Sequence, residues 1–384
     1  MRSFCSFFQQ ILHLFPRAEF DRLVSQTRAE RHARGFASWD HLVAMLYCQL
    51  GRAQSLGEIC DGLNSLQGKK NHLGIETPRK STLAYANGHR PPELFEAVFH
   101  GLVARVQNEL GPKHRFRFKN KLLSLDTTTI DLCASIFDWA HFMRTKGAVK
   151  LHMVLDHAGL LPVFCAITTG KASDIQLARA LNLPAGTILA IDRGYVDFRW
   201  LQSLTEQKVC FVTRLRRTDS VQVIESRDVP KAVVSDETIL AGVRRWDGFG
   251  PITLRRVTVL DDDGVPFQVV TNNFKLAAST IARIYRERWQ IEVFFRAIKQ
   301  NLRIKTFVGT SAKALRTQVW SALIAIVILK FLQLKARTGW SLSRLVALIR
   351  LHLFSYRDLT HWLDDPFADF ESPPNDQQLA LQFG

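Results

Sequence analysis

The sequence predicts an α/β protein in which an all-helical N-terminal unit precedes a mixed sheet that is interrupted by a β-rich insertion. Three observations carry that reading. Residues 1 to about 110 place apolar side chains at helical spacing, with Ser or Thr before the runs and Gly after them. Residues 122 to 215 alternate strand-like runs with helix-like ones, and residues 216 to 275 hold only short strand-like runs with turn punctuation. The 384 residues, 47% of them apolar, suffice for two or three structural units around a substantial core.

In the helical unit, "FASWDHLVAMLYCQLG", "SLGEICDGLNSL" and "STLAYANG" carry the periodic pattern. A basic connector, "GPKHRFRFKNK" at 111 to 121, leads into "LLSLDTTTIDL", "GAVKLHMVLD" and "LLPVFCAITTG", three β-rich runs joined by turns. Helix-like "SDIQLARALN", strand-like "GTILAIDRGY", helix-like "VDFRWLQSLTEQ" and strand-like "KVCFVTRL" complete a β-β-β-α-β-α-β order. The first and fourth strands of such an order can lie side by side. The insertion, about 216 to 275, contributes "SVQVIES", "TILAGVRRW", "ITLRRVTVLDDDG" and "VPFQVVTNN". "IYRERWQIEVFFRAIKQNLRIK", residues 284 to 305, reads as one amphipathic basic helix. "VWSALIAIVIL" at 319 to 329 is about half a membrane-spanning length and ends in Lys330, so a buried helix is expected. The expected units are residues 1–118, helical; 119–335, the sheet with its insertion; and 336–384, a helical segment and an acidic tail.

Charge narrows the partners. The net +16 is a cationic excess that favours a polyanion, nucleic acid first. From Arg283 to Arg337 twelve Lys or Arg face only Glu287 and Glu292, which makes that segment the expected polyanion face. The helical unit, net +6 over residues 1–118, could touch DNA or serve as a packing unit. After Arg357 there are six acidic residues and no Lys or Arg. The opening residues lack the apolar core of a signal peptide, which points to the cytoplasm. Six cysteines without CxxC spacing and twelve histidines without HExxH spacing argue against a zinc site. The sequence holds no GxxxxGK[ST] loop, which argues against nucleotide use.

The acidic candidates emerge from the pattern. Asp126 and Asp192 both end strands, where α/β sheets place ligands, although strand-end aspartates also cap turns. At 100° per residue Tyr285, Arg288, Glu292 and Lys299 share one narrow helical stripe, beside the apolar arc of Ile284, Ile291, Phe294, Phe295, Ile298 and Leu302. Glu287 lies at the outer margin of that arc without such companions. Lys146, Lys150 and His152 suit either a DNA channel or a solvated strand face. Trp246, beside Arg244 and Arg245, suits either base stacking or a buried structural role.

Taken together, "LSLDTTTIDL", "LAIDRGYVDF" and the Tyr-x2-Arg-x3-Glu-x6-Lys spacing of 285, 288, 292 and 299 resemble the bacterial insertion-sequence DDE transposases, most of all the insertion-sequence-4 family. The resemblance covers about residues 120 to 320 and extends in character to the helical unit before them. It implies a ribonuclease-H-like fold and a metal-binding catalytic triad of Asp126, Asp192 and Glu292. Two Mg²⁺ ions, with Mn²⁺ as a substitute, would serve phosphodiester hydrolysis and transfer. Tyr285, Arg288 and Lys299 would grip DNA phosphates, with Lys150 and Trp246 as further DNA contacts. The implied partners are double-stranded element ends and target DNA, with a homodimer in the DNA complex and neither membrane nor nucleotide cofactor. The implied setting is the bacterial cytoplasm, at the nucleoid when DNA is bound. Two rival readings are a ribonuclease-H-like endonuclease without strand transfer and an inactive DNA-binding derivative.

Overall fold

The structure, a computed structural model, describes residues 5–31, 33, 35–66, 73–111, 120–133, 137, 139, 141–143, 146–230, 233–243, 250–304 and 306–367. Trp246 with its two arginines, the Lys146 side chain and the end of the acidic tail lie outside the described residues. The N-terminal region forms α1 (Phe7–Leu12), α2 (Arg17–Thr27), α3 (Ser38–Leu50), α4 (Leu56–Asn64), α5 (Lys80–His89) and α6 (Glu93–Leu110). Ser55 caps α4 by accepting the Glu58 N–H at 3.1 Å. His41 of α3 and Asn87 of α5, both buried, meet at 2.7 Å, and burial pushes the imidazole pKa down to about 3.

The sheet begins with β1 (Leu122–Cys133), β2 (His141–Met143), β3 (Lys146–Asp156) and β4 (Leu161–Thr169). The chain continues through α7 (Asp174–Arg179), β5 (Ile188–Ile191), α8 (Phe198–Glu206) and β6 (Cys210–Thr213). In space the order is β4-β3-β1-β5-β6, the first three strands antiparallel and β5 and β6 parallel to β1. This is the ribonuclease-H-like arrangement. β5 is buried on both faces, as a central parallel strand must be, which explains its unbroken apolar sequence. β2 pairs with the outer edge of β3 at the end that β4 leaves open.

The insertion supplies β7 (Val221–Ser226), β8 (Ser235–Ala241), β9 (Ile252–Leu260) and β10 (Pro266–Thr271). It continues the same sheet, because β10 pairs antiparallel with β6, which makes a sheet of ten strands among the described residues. Asp236 ties the meander together: Arg255 grips it through two nitrogens, at 2.8 and 2.5 Å, and Arg227 reaches it at 3.0 Å. Those hydrogen bonds hold its carboxyl below the usual carboxylate range.

The basic segment is two helices rather than the one expected, α9 (Ala278–Glu287) and α10 (Trp289–Asn301). They meet at Arg288, whose N–H bonds the carbonyl of Tyr285 and whose carbonyl accepts from Ile291, both at 3.1 Å. These three-residue bonds replace the four-residue ladder locally, and no Pro or Gly announces the break. α9 covers one sheet face through Ile281, Ala282 and Ile284, while α8 covers the other through Phe198 and Leu201.

α11 (Ala312–Lys335), α12 (Leu342–His352) and α13 (Leu359–Asp364) complete the described elements. α11 is long and apolar enough to cross a membrane by composition, yet 89% of its most apolar window is buried inside the fold. It shares one core with the N-terminal helices, α10 and the β3 and β4 face. Two buried glutamines stitch the loop after α10 to this core. Gln318 donates to the carbonyls of Arg303 and Thr306, at 2.7 and 2.8 Å, and Gln49 of α3 accepts from the Arg303 N–H at 2.8 Å.

Lys330 is the exception on α11. Its ammonium donates to Gln333 at 2.8 Å, but burial pushes its pKa down to about 8. A base with a lowered folded pKa costs stability fully below that value, and the cost fades as pH rises toward 10.5. Lys330→Met should therefore raise stability at pH 7 by roughly 1–2 kcal/mol after the lost Gln333 bond is subtracted. Denaturant melts at pH 7 and pH 10 should show the gain shrinking at the higher pH. Loss of stability at pH 7 would contradict the argument.

Candidate active site

Strand alternation positions the first carboxylate. Along β1, Leu123 and Leu125 pack on the α8 side, so Asp126 points to the α9–α10 side. Leu125 pairs with Ile191 in parallel register, and the next residues, Asp126 and Asp192, stand where that ladder ends. Asp192 caps a tight turn by accepting the Gly194 N–H at 2.9 Å. A Cβ at Gly194 would meet the same carboxylate oxygen at 3.3 Å, closer than most side chains tolerate.

The joint between α9 and α10 supplies the rest. Arg288, with its side chain only 12% exposed, reaches Asp126 at 3.4 Å and Glu292 at 2.8 Å. A guanidinium thus fills the interval between two carboxylates. Its carbon lies 5.7 Å from the centre of the Tyr285 ring. Burial pushes the Asp126 carboxyl up to about 6; the Thr127 N–H and Arg288 pull it down, while Asp192 and Glu292 push it up further. Burial likewise raises the Tyr285 phenol. Lys299, two turns along α10, donates to the carbonyl of Thr129 at 2.9 Å, on the same strand as Asp126.

The structure therefore brings Asp126, Asp192, Glu292, Tyr285 and Arg288 together, with Lys299 at the next step of β1. It does not bring Lys150 to them. Lys150 pairs with Thr129 in the β1–β3 register, on the opposite sheet face from Asp126, and is held by Asp174 and the carbonyl of Ala172, each at 2.9 Å. His152 is fully buried, so the solvated strand face and the DNA channel are both corrected for that residue.

Sequence reasoning passed over a hydrogen-bonded row beneath Asp126: Tyr195 to Thr127 at 2.5 Å, Thr127 to His152 at 2.8 Å and His152 to Thr168 at 2.7 Å. Alternation could have placed Thr127 on that face, but its partners come from tertiary pairing. Arg216, also unremarked in the sequence, holds the Asp192 turn from the far side by donating to the carbonyl of Val196 at 2.8 Å. Trp289, adjacent to Arg288, is 49% exposed, with Val293 exposed one turn along. Its signal was an aromatic on the polar side of the helical wheel.

The three carboxylates offer only oxygen donors, the chemistry of a hard divalent cation, and Arg288 already stands among them as a positive charge. In this arrangement no three His, Cys, Asp or Glu among the described residues are close enough to hold a metal ion.

Asp126 lies inside β1 rather than at its end, but fold and site define a class: a ribonuclease-H-like α/β protein with carboxylates where the parallel pairing of two strands ends, a setting suited to phosphodiester chemistry. Residues 117–328 match the transposase DDE domain, and residues 5–76 match a domain of unknown function. The chain belongs to the DDE transposases of insertion sequences, DNA-cleaving and strand-transferring enzymes that depend on divalent metal. It is 32% identical to a Sinorhizobium fredii protein named as transposase y4zB, over 78% of this chain and 82% of that one. It is also 32% identical to a Geobacillus stearothermophilus protein named as a transposase for insertion sequence element IS5377, over 70% and 72% of the two chains. Identity to the Escherichia coli transposase InsG of IS4 is 24%, over 49% of this chain and 44% of that one.

Proposed function

We propose that Asp126, Asp192 and Glu292 are the carboxylates through which this transposase holds Mg²⁺, as two ions, to cut its element ends and join their 3′ ends to target DNA. The observation that carries this is the meeting of the two residues just past the β1–β5 ladder with the α9–α10 joint, where Arg288 already spans Asp126 and Glu292. Bound there, the divalent ions would activate water or a 3′-hydroxyl and offset charge on the leaving oxygen. Mn²⁺, with similar oxygen preference, would substitute.

The chain's own residues do the rest. Arg288, freed from the carboxylates, grips a phosphate oxygen through its planar fork. Tyr285 donates a hydrogen bond to a neighbouring phosphate, and Lys299 adds a point charge beyond it. Burial of Asp126 and Arg288 limits the water that competes for these contacts. The helical N-terminal region adds a second DNA contact at the element end. Because two ends are joined in concert, the working unit is a dimer on DNA.

Full-length protein incubated with pre-cleaved end duplexes and target plasmid should give joined product in Mg²⁺ and none after chelation. Equal joining under chelation would overturn the reading. Nicking of uncut ends without any joining would instead favour an endonuclease.

A further inference from the structure

We propose that the row Tyr195–Thr127–His152–Thr168, on the sheet face opposite the carboxylates, is a positioning device that fixes the spacing of Asp126 and Asp192. The inference rests on the reading of those two residues as metal ligands.

The backbone leaves a gap that this row spans. The parallel ladder between β1 and β5 ends at Leu125 and Ile191, one residue before each aspartate. Past that point no strand pairing holds the Asp192 turn against β1. Thr127 follows Asp126 directly and its side chain emerges on the other face. Tyr195 closes the turn that Asp192 opens, its N–H bonding the Asp192 carbonyl at 3.0 Å. The 2.5 Å contact between the Tyr195 phenol and the Thr127 hydroxyl is therefore a tie from one aspartate's neighbour to the other's turn.

The row is anchored at its far end. Thr127 and His152 are register partners across β1 and β3, and His152 reaches Thr168 of β4, so three strands share the load. One donor order satisfies every member. Tyr195 donates to Thr127, Thr127 to Nδ1 of a neutral His152, Nε2–H to Thr168, and Thr168 to the carbonyl of Thr169 at 3.4 Å. His152 and Tyr195 are buried, where an apolar pair would pack without any need for partners. What the polar row adds is a defined distance.

The test compares Thr127→Val, which keeps shape and loses the hydroxyl, with Thr127→Ser, which keeps the hydroxyl, and with Tyr195→Phe. Mn²⁺ binding to the full-length protein without DNA is read by the electron paramagnetic resonance of the free ion, beside thermal melts and the Mg²⁺ dependence of nicking. Thr127→Val and Tyr195→Phe should each weaken Mn²⁺ about tenfold, as loss of an outer-shell orienting group does. The Mg²⁺ needed for half-maximal nicking should rise in step, while kcat at saturating Mg²⁺ stays within a few-fold. Thr127→Ser should behave as the parent. Should Thr127→Val fold poorly, Tyr195→Phe, which removes a single oxygen, decides. Parental Mn²⁺ affinity in Thr127→Val or Tyr195→Phe, or equal loss in Thr127→Ser, would overturn the proposal. Asp126→Asn separates the two levels: if it too kept parental affinity, the ligand reading would fall, and if it alone lost Mn²⁺, only the positioning role would.

Discussion

A Glu292→Gln transposase should bind its element ends with parental affinity and nick them in Mg²⁺ about a thousandfold more slowly. Glutamine keeps the size and helix compatibility of glutamate, and the side chain sits half-buried in the first turn of α10, so folding has little to lose. Arg288 retains an amide oxygen to donate to. What disappears is one of three charges that hold the divalent ions, and metal stabilisation of the reacting oxygens is worth several kcal/mol, about a factor of ten for every 1.4 kcal/mol. On a helical wheel Glu287→Gln is the matched control, expected to retain most activity. The structure makes it less neutral, because Glu287 lies 4.0 Å from buried His157, which bonds Ser124 at 2.7 Å on the strand of Asp126. Asp131→Asn, exposed on the same strand, is the cleaner comparison. Gel-shift and nicking assays on end duplexes decide: parental nicking by Glu292→Gln would remove Glu292 from the site.

The strands and their order were legible because apolar alternation and turn residues are local signals, and the adjacency of Asp126 and Asp192 followed from that order. The stripe through Tyr285, Arg288 and Glu292 was legible for the same reason: two helical turns suffice to place them, and the tightening at Arg288 falls inside that span. The break itself was not, since no Pro or Gly marks it and the three-residue bonds arise where the chain passes, on one sheet face, from the cluster under α9 to the core that α10 shares with α11. Nor was the continuity of the insertion with the sheet, which hangs on two residue pairs between β6 and β10, separated by about sixty residues of chain. His152 illustrates the general limit. Its strand position was readable, but its burial depends on Thr127, Thr168 and the Asp192 turn closing around it, and those contacts are tertiary.

Arg288→Ala should separate metal binding from DNA chemistry, raising Mn²⁺ affinity of the DNA-free protein about tenfold while slowing nicking about a hundredfold. The first effect follows from competition. A guanidinium 3.4 Å from Asp126 and 2.8 Å from Glu292 offsets the charges a divalent ion needs and occupies the interval between the same oxygens. Removing it leaves carboxylates that repel one another, so the metal-free variant should also melt lower and recover on adding Mn²⁺. The second effect follows from the loss of a preorganised cation at the reacting phosphate, a contribution of the size seen when one transition-state donor is deleted. Arg288→Lys should fall between, since an ammonium keeps the charge but cannot span both carboxylates or bind phosphate bidentately. The opposing signs are the test. If Mn²⁺ affinity falls together with nicking, Arg288 orients the carboxylates for metal rather than standing in its place, and metal entry needs no displacement of the arginine.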